Sequence, residues 1–160
     1  MRVLHVLYQS LPTVVGSSIR SHSLLKALAK KSAASICVVT SPFQNPLSPR
    51  AQVDLIDGVT YQRTYCGDDR LKYSENPKGM WLKLKKLLAL PGFAKQLVSV
   101  VREQEIDVIH AHSTFFVGLA SYVAARICGV PMVYEVRSLW EERLRKHSSL
   151  NARISYVVIR

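Results

Sequence analysis

The sequence predicts an α/β fold with a Rossmann-like, doubly wound and mainly parallel sheet, and two observations carry this prediction. Short apolar runs alternate with longer amphipathic runs along the chain, which is typical of parallel strands joined by crossover helices. The chain has 160 residues and is 48% hydrophobic, which suits one domain with a sizeable core. Its apolar runs all stay below the ~18 residues that a membrane-spanning helix requires.

Apolar periodicity and turn residues place the individual elements. Strands are predicted at 3–8, 36–40, 107–110 and 132–136, with an alternating hairpin at 53–66 that turns at Asp57-Gly58. Helices are predicted from Ser17 or Ser18 to about Lys31, over 80–101 with a break near Pro91-Gly92, and over 115–127 before Gly129.

The end of the sequence carries a separate expectation. Residues 138–147 read as a charged loop or short helix, and residues 150–160 read as an apolar helix that has no stop signal. A helix normally ends with a recognisable C-cap. We therefore expect a fragment of a longer protein, whose sheet lacks its last strand and which dimerises or swaps elements to cover the open edge.

The net charge limits the partner molecules to be expected, and the cysteine content indicates the redox compartment. A net charge of +11 favours polyanions such as anionic lipids or phosphorylated metabolites. Nucleic acid is not an expected partner, because neither a recognition helix nor an aromatic sheet face is evident. The three cysteines lack metal-type spacing, so we expect buried free thiols in a reducing cytoplasm.

Polar side chains stand at the ends of two predicted strands. His110 and His112 are two residues apart, as are Glu135 and Arg137, so each pair points to one face. Ligands bind open α/β sheets at the carboxyl ends of their strands, and His112, placed just past its strand, can hydrogen-bond a substrate. For His110, a packed or capping role is an open alternative. For Glu135 and Arg137, the open alternative is an ion pair with a purely structural role.

A metal site is not expected from this pattern. Two histidines on one face could ligate zinc, but a third ligand at convincing spacing is not evident in the sequence. His5 lies inside the first predicted strand and is expected to be a core residue.

Two further segments carry hypotheses with open alternatives. Gly16 follows the first strand and precedes a helix start, where free backbone amides attract phosphate. The loop matches neither the dinucleotide fingerprint nor a Walker loop. A plain turn glycine is therefore an open alternative. A basic amphipathic stretch can lie on an anionic membrane, or its leucines can pack on the sheet; its candidate contact residues are Trp81, Lys83, Lys85 and Lys86.

The order of these motifs resembles a known family. The loop from Pro12 to Gly16, Arg20, the run D-V-I-H-A-H at 107–112 and the run V-P-M-V-Y-E at 130–135 look like the N-terminal half of a family-four glycosyltransferase with the two-domain GT-B fold. Residues 134–142 look like the subgroup associated with bacterial exopolysaccharide and exosortase gene clusters. Many members have a Gly-Gly pair where this chain has Val15-Gly16.

The resemblance implies that residues 1–160 are an acceptor-side domain and that a separate C-terminal domain, outside this sequence, grips the donor. Such enzymes move a sugar from a nucleotide-sugar to a glycan or lipid-linked acceptor, with retention, and neither a metal nor another cofactor is expected. The implied roles are diphosphate contact at Gly16, sugar or transition-state contact at His112, acceptor contact at Glu135 and Arg137, and donor or acceptor contact at Arg20 and His110.

The implied location is the cytoplasm, with a peripheral position on the inner membrane face as a further expectation. A fragment without the donor domain is expected to be inactive alone. Two other interpretations stay open: a non-enzymatic basic module that docks on an anionic membrane or a partner protein, and a different doubly wound protein that binds a nucleotide at its strand ends.

Overall fold

The computed structural model describes residues 1–31, 35–44, 52–64 and 80–136. The predicted segments at 138–147 and 150–160 lie outside these residues, and so does Arg137. The elements, in chain order, are β1 (Arg2–Leu7), α1 (Gly16–Lys31), β2 (Ser35–Thr40), β3 (Val53–Ile56), β4 (Val59–Arg63), α2 (Met80–Glu103), β5 (Val108–His112), α3 (Phe115–Cys128) and β6 (Met132–Glu135).

The strands form one sheet in the order β3-β4-β2-β1-β5-β6. Every neighbouring pair is parallel except β3 and β4, which are antiparallel. Strand β1 lies between β2 and β5, so the chain first builds outward on one side of β1 and later on the other. This mixed, mostly parallel sheet confirms the predicted fold class.

Helices cover both faces of the sheet. On one face, Leu25 of α1 packs with Leu7 and Tyr61 in a buried cluster. On the other face, Phe93 of α2 and Val117 of α3 belong to a larger buried cluster with strand residues. Successive side chains of a strand alternate between faces, which explains how one apolar strand serves both clusters. The arrangement is therefore doubly wound.

Two turns follow the sequence prediction. Asp57 and Gly58 have φ values of 50° and 82°, the left-handed geometry that a two-residue hairpin requires, and they join β3 to β4. Gly129 has a φ of 70° and donates its N–H to the Ala125 carbonyl at the end of α3, as a helix C-cap does.

Two predicted boundaries are wrong. Helix α2 continues through Pro91 rather than breaking there, because a proline removes only one helical hydrogen bond while Phe93 and Leu97 hold the helix on the core. Strand β5 continues to His112, because Leu7 of β1 and Glu135 of β6 flank it on both sides. His112 therefore lies within the strand and not beyond its end.

Candidate functional site

The polar groups lie together at the point where the strand order of the sheet reverses. His5 of β1 is in register with His110 of β5, and His112 is in register with Glu135 of β6. The strands β1 and β5 flank the point at which the strand order reverses, which is the usual ligand crevice of open α/β sheets. His5 shares the α1-side face with Leu7, two residues further along the strand.

Three histidines, His5, His110 and His112, form what is called here the imidazole cluster. Their ring centroids are 4.0 Å apart for His110 and His112, and 5.2 Å apart for His5 and each of the others. The Nδ1 atom of His5 lies 2.9 Å from Nε2 of His112. One nitrogen from each ring falls within a span of 4.8 Å, so the three rings bring potential ligand atoms close together.

Glu135 ties the cluster to α1. Its Oε2 atom lies 2.7 Å from His112 Nδ1 and 3.8 Å from His110 Nε2, and its Oε1 atom lies 3.6 Å from Arg20 Nη2. A carboxylate only accepts hydrogen bonds, so His112 donates from Nδ1. Neutral His112 then has an acceptor at Nε2, and His5 donates to it from Nδ1.

Exposure differs sharply within the site. The His5 and His112 side chains are both 2% exposed, whereas those of His110 and Glu135 are 24% and 26% exposed. Arg20 is 68% exposed. The buried rings therefore form a floor, and His110, Glu135 and Arg20 form a polar rim that a ligand can reach.

The loop after β1 leads to the start of α1 at Gly16. A Cβ atom built on Gly16 meets nothing within 4 Å, so packing does not require a glycine at this position. Ser18 holds the loop: its hydroxyl accepts from Val15 N at 3.0 Å and contacts the Thr13 carbonyl. Helix α1 begins at Gly16, so the predicted start at Ser17 or Ser18 is wrong by one or two residues, and Ser18 holds the entering loop from inside the first turn.

Sequence reasoning missed the buried arginine that anchors this loop. The Arg63 guanidinium donates to the Ser10 hydroxyl, to the Leu11 carbonyl at 2.7 Å and to Asp54 Oδ2 at 2.7 Å. Gln44 adds a reciprocal pair with the Ser10 backbone, at 2.7 and 3.0 Å. An arginine ending a strand whose alternate residues are apolar is a weak signal, because such residues more often face solvent.

His5 was also missed as a site residue. It is buried as predicted, but its ring belongs to the imidazole cluster rather than to an apolar core. The signal that could have found it is the central place of the first strand in a doubly wound sheet, beside the strand that carries the histidine pair.

The remaining candidate residues lie away from the imidazole cluster or outside the residues that the structure describes. Helix α2 carries the predicted membrane-contact residues, whose side chains lie outside the described residues: Trp81, Lys83, Lys85 and Lys86. Cys37 and Cys128 are free thiols, and burial raises the pKa of Cys37 to about 11. The helices among the described residues include none long and apolar enough to cross a membrane.

Fold and site together define a doubly wound α/β domain with a cluster of polar side chains at its switch point. The Glycosyl transferase 4-like domain family matches residues 15–160. The chain belongs to this glycosyltransferase family. No curated protein matches the sequence.

Among solved structures, the C-terminal domain of a Pyrococcus furiosus hydrogenase is similar in fold, with a TM-score of 0.54 at 12% identity over 84% of this chain and 90% of that one. S. aureus MnaA, solved with UDP, gives 0.45 at 14% identity over 84% and 29%. A Rickettsia africae glycosyltransferase gives 0.41 at 13% identity over 91% and 33%. The chain thus spans about a third of the last two.

Proposed function

We propose that this chain is the N-terminal, acceptor-side domain of a retaining glycosyltransferase that moves a sugar from a nucleotide-sugar to a glycan or lipid-linked acceptor. The family match over residues 15–160 is the observation that carries the proposal. The polar side chains at the carboxyl ends of β1, β5 and β6 support it, because that edge is where doubly wound domains bind their ligands.

The polar rim is proposed to supply the contacts to substrate. Glu135 and His110 are each about a quarter exposed, and they can accept or donate hydrogen bonds to sugar hydroxyls. His112 is proposed to contact the transferred sugar or the transition state, as the family resemblance implies. Its ring is 2% exposed and donates to Glu135, so it also positions that carboxylate. Arg20 supplies an exposed positive charge beside Glu135.

Gly16 is assigned to the donor diphosphate. It is the first residue of α1, and the free amides of a helix start favour phosphate. Since its Cβ position is empty of protein atoms, replacement by valine is expected to leave stability intact while raising KM for the donor. An unchanged KM in Gly16→Val would remove this assignment.

The donor nucleotide is proposed to be held chiefly by a second, C-terminal domain, as the family resemblance implies. Transfer is then expected to require that domain, and residues 1–160 alone are expected to be inactive. Neither a metal nor another cofactor is needed for this transfer, which the resemblance assigns to substrate binding and charge stabilisation by the protein.

The test uses the complete protein and a panel of nucleotide-sugars, with membrane extract of the source cells as acceptor. We expect one donor to release free nucleoside diphosphate in an extract-dependent manner. Glu135→Gln should lower kcat/KM about 10- to 100-fold, as loss of a hydrogen bond between a charged group and the substrate does. Glu103→Gln, on the exposed face of α2, is the control and should not change the rate. A complete protein that turns over none of the donors would contradict the proposal.

The finer subgroup, exopolysaccharide synthesis in bacteria, is proposed from the run at 134–142. Deleting the gene in the source organism should remove one surface polysaccharide and leave growth in rich medium unchanged. An unaltered polysaccharide profile would argue against this subgroup.

Contact with the cytoplasmic membrane face is proposed for the first half of α2. Leu84, Leu87 and Leu88 are 45%, 54% and 69% exposed, and they follow helical spacing on one side amid lysines that attract anionic lipid. The protein should float with anionic vesicles and less with neutral ones. Leu87→Ser/Leu88→Ser should weaken flotation, and equal recovery with both vesicle types would contradict membrane contact.

A homodimer through the β6 side of the sheet is proposed as well. Val133, Tyr134 and Val136 are 53%, 43% and 59% exposed, and a β-strand at the end of a sheet can pair with a second copy. Light scattering over a wide concentration range should give twice the chain mass. A monomer at every concentration would overturn this proposal.

A further inference from the structure

We propose that the imidazole cluster binds a divalent transition-metal ion of the zinc class, with His5, His110 and His112 as its protein ligands. Among the residues that the structure describes, this is the one group of three histidine, cysteine or acidic side chains with ligand atoms close enough to share an ion, within 4.8 Å. Neutral imidazole is a preferred ligand of zinc, copper and nickel. The expectation of no metal from residue spacing rested on a missing third ligand, which β1 supplies. The metal-free transfer that the resemblance implies is unaffected, because the ion is proposed as a bound group and not as a participant in that transfer.

The hydrogen bond between Glu135 and His112 favours ligation. Because Glu135 Oε2 accepts from His112 Nδ1 at 2.7 Å, the lone pair of His112 is at Nε2, on the side of His5. A ligating histidine typically donates its other N–H to a carboxylate, which fixes the ring and raises the basicity of the ligand nitrogen. His112 already has this tautomer and orientation.

The distances require movement of the rings. Zinc–nitrogen bonds of about 2.0–2.1 Å in a tetrahedron place ligand nitrogens about 3.3 Å apart. His5 Nδ1 and His112 Nε2 are 2.9 Å apart and must separate slightly, whereas the three ligand nitrogens together span up to 4.8 Å, so the more distant ring must move toward the ion. On binding, the His5 proton moves from Nδ1 to Nε2, so the ring stays neutral. The ion exchanges water ligands for imidazoles.

Exposure indicates an open rather than a closed site. His5 and His112 are buried, whereas His110 is 24% exposed on the rim. Three protein ligands with one position open to solvent are typical of zinc sites that bind an exogenous oxygen ligand. Magnesium and calcium fit poorly, because they prefer oxygen ligands and the three candidate ligands all offer nitrogen.

The experiment measures binding directly and needs no substrate, so its outcome is independent of the glycosyltransferase proposal. The full chain is stripped with a chelator and titrated with Zn²⁺ by calorimetry and with Co²⁺ by visible absorption. We expect about one equivalent bound with a Kd on the order of micromolar or tighter, and the d–d absorption of four-coordinate Co²⁺. Absence of saturable binding would overturn the proposal.

Variants locate the site. His5→Asn should weaken binding at least about 100-fold, and Glu135→Gln about 10- to 100-fold, as loss of an orienting carboxylate does. His22→Gln is the matched control, because His22 is also buried on the α1 side but bonds Tyr61 Oη at 2.7 Å; it should bind normally. If His5→Asn misfolds by circular dichroism, the partly exposed His110→Asn replaces it. Full affinity in the folded ligand variant would refute the assignment.

Discussion

The two halves of the sheet's carboxyl edge both hold buried polar networks, and the networks differ in chemistry. On the β2–β4–β3 side, the arginine network joins Arg63 to Asp54, Ser10 and the Leu11 carbonyl. On the β1–β5–β6 side, the imidazole cluster joins Glu135 and, through it, Arg20. Arg63 is 1% exposed at its side chain, whereas the imidazole side has a rim open to ligands.

The difference in chemistry suits the arginine network to holding the backbone in place and the imidazole cluster to reacting with a ligand. A guanidinium stays charged and donates in fixed directions, so Arg63 holds the loop between β1 and α1 in one place. An imidazole can donate, accept, ionise or ligate near neutral pH, so the histidine side can change state when a ligand arrives. We infer that one half of the edge fixes the loop that delivers Gly16, and the other half carries the chemistry.

The largest expected effect is on the arginine network. Arg63→Met should lower the free energy of unfolding by about 3 kcal/mol, because it leaves Asp54 without its ion pair in a largely buried setting. Chemical denaturation measures this loss. Arg102→Met, on the exposed part of α2, is the control and should change stability little. A loss below about 1 kcal/mol would place Arg63 among ordinary surface pairs.

Removal of the His112 side chain should lower stability less than Arg63→Met does, and should lower the rate of sugar transfer more. His112→Ala removes one hydrogen-bond partner each from His5 and Glu135 and should lower stability by about 2 kcal/mol. In the complete enzyme it should also slow transfer. The double variant with Arg63→Met should be additive within about 0.5 kcal/mol if the networks are independent. A larger deviation would mean that the two halves act as one unit.

Gly118 offers a test that touches only the histidine side. A Cβ atom there would lie 2.8 Å from Cε2 of Tyr134, the neighbour of Glu135. Gly118→Ala should therefore shift Tyr134, lower stability by about 1 kcal/mol and weaken zinc binding. Gly92→Ala, whose Cβ meets nothing within 4 Å, should be neutral or stabilising by up to about 1 kcal/mol. Equal effects of the two changes would show that Tyr134 yields freely.

The smallest expected effect concerns Asp57, at the hairpin turn. Hydrogen bonds from Lys26 and His22 hold the pKa of its carboxyl below the usual range. A depressed pKa means that the carboxylate stabilises the fold above the unfolded-state pKa, and that this contribution disappears as pH falls through the folded pKa. Lys26→Met should move the pKa of Asp57 upward in an NMR titration. An unmoved pKa would assign the shift to His22 alone.

Local patterns predicted the elements but not the contacts that make the site. The strands and the turns at Asp57-Gly58 and Gly129 followed from periodicity and from left-handed backbone preference, which act within a few residues. The face shared by His110 and His112 followed from strand alternation, and their ring centroids are 4.0 Å apart.

The missed features depend on distant partners. His112 was placed beyond its strand because the flanking strands that extend β5 lie far away in sequence. His5 lies 107 positions from its hydrogen-bond partner, and Arg63 lies more than 50 from Ser10. Neither residue propensity nor local spacing predicts such pairs, because predicting them requires the order of the strands in the sheet.

The central place of β1 has a consequence for the order of events during synthesis on the ribosome. Strands β1, β2 and β4 can associate early, whereas β5 joins β1 across about a hundred residues. Pairings between distant segments form late because loop closure costs entropy. We expect a nascent chain paused before residue 112 to hold the arginine network without the imidazole cluster, and force measurements on ribosome-bound chains of stepped length can time the two events.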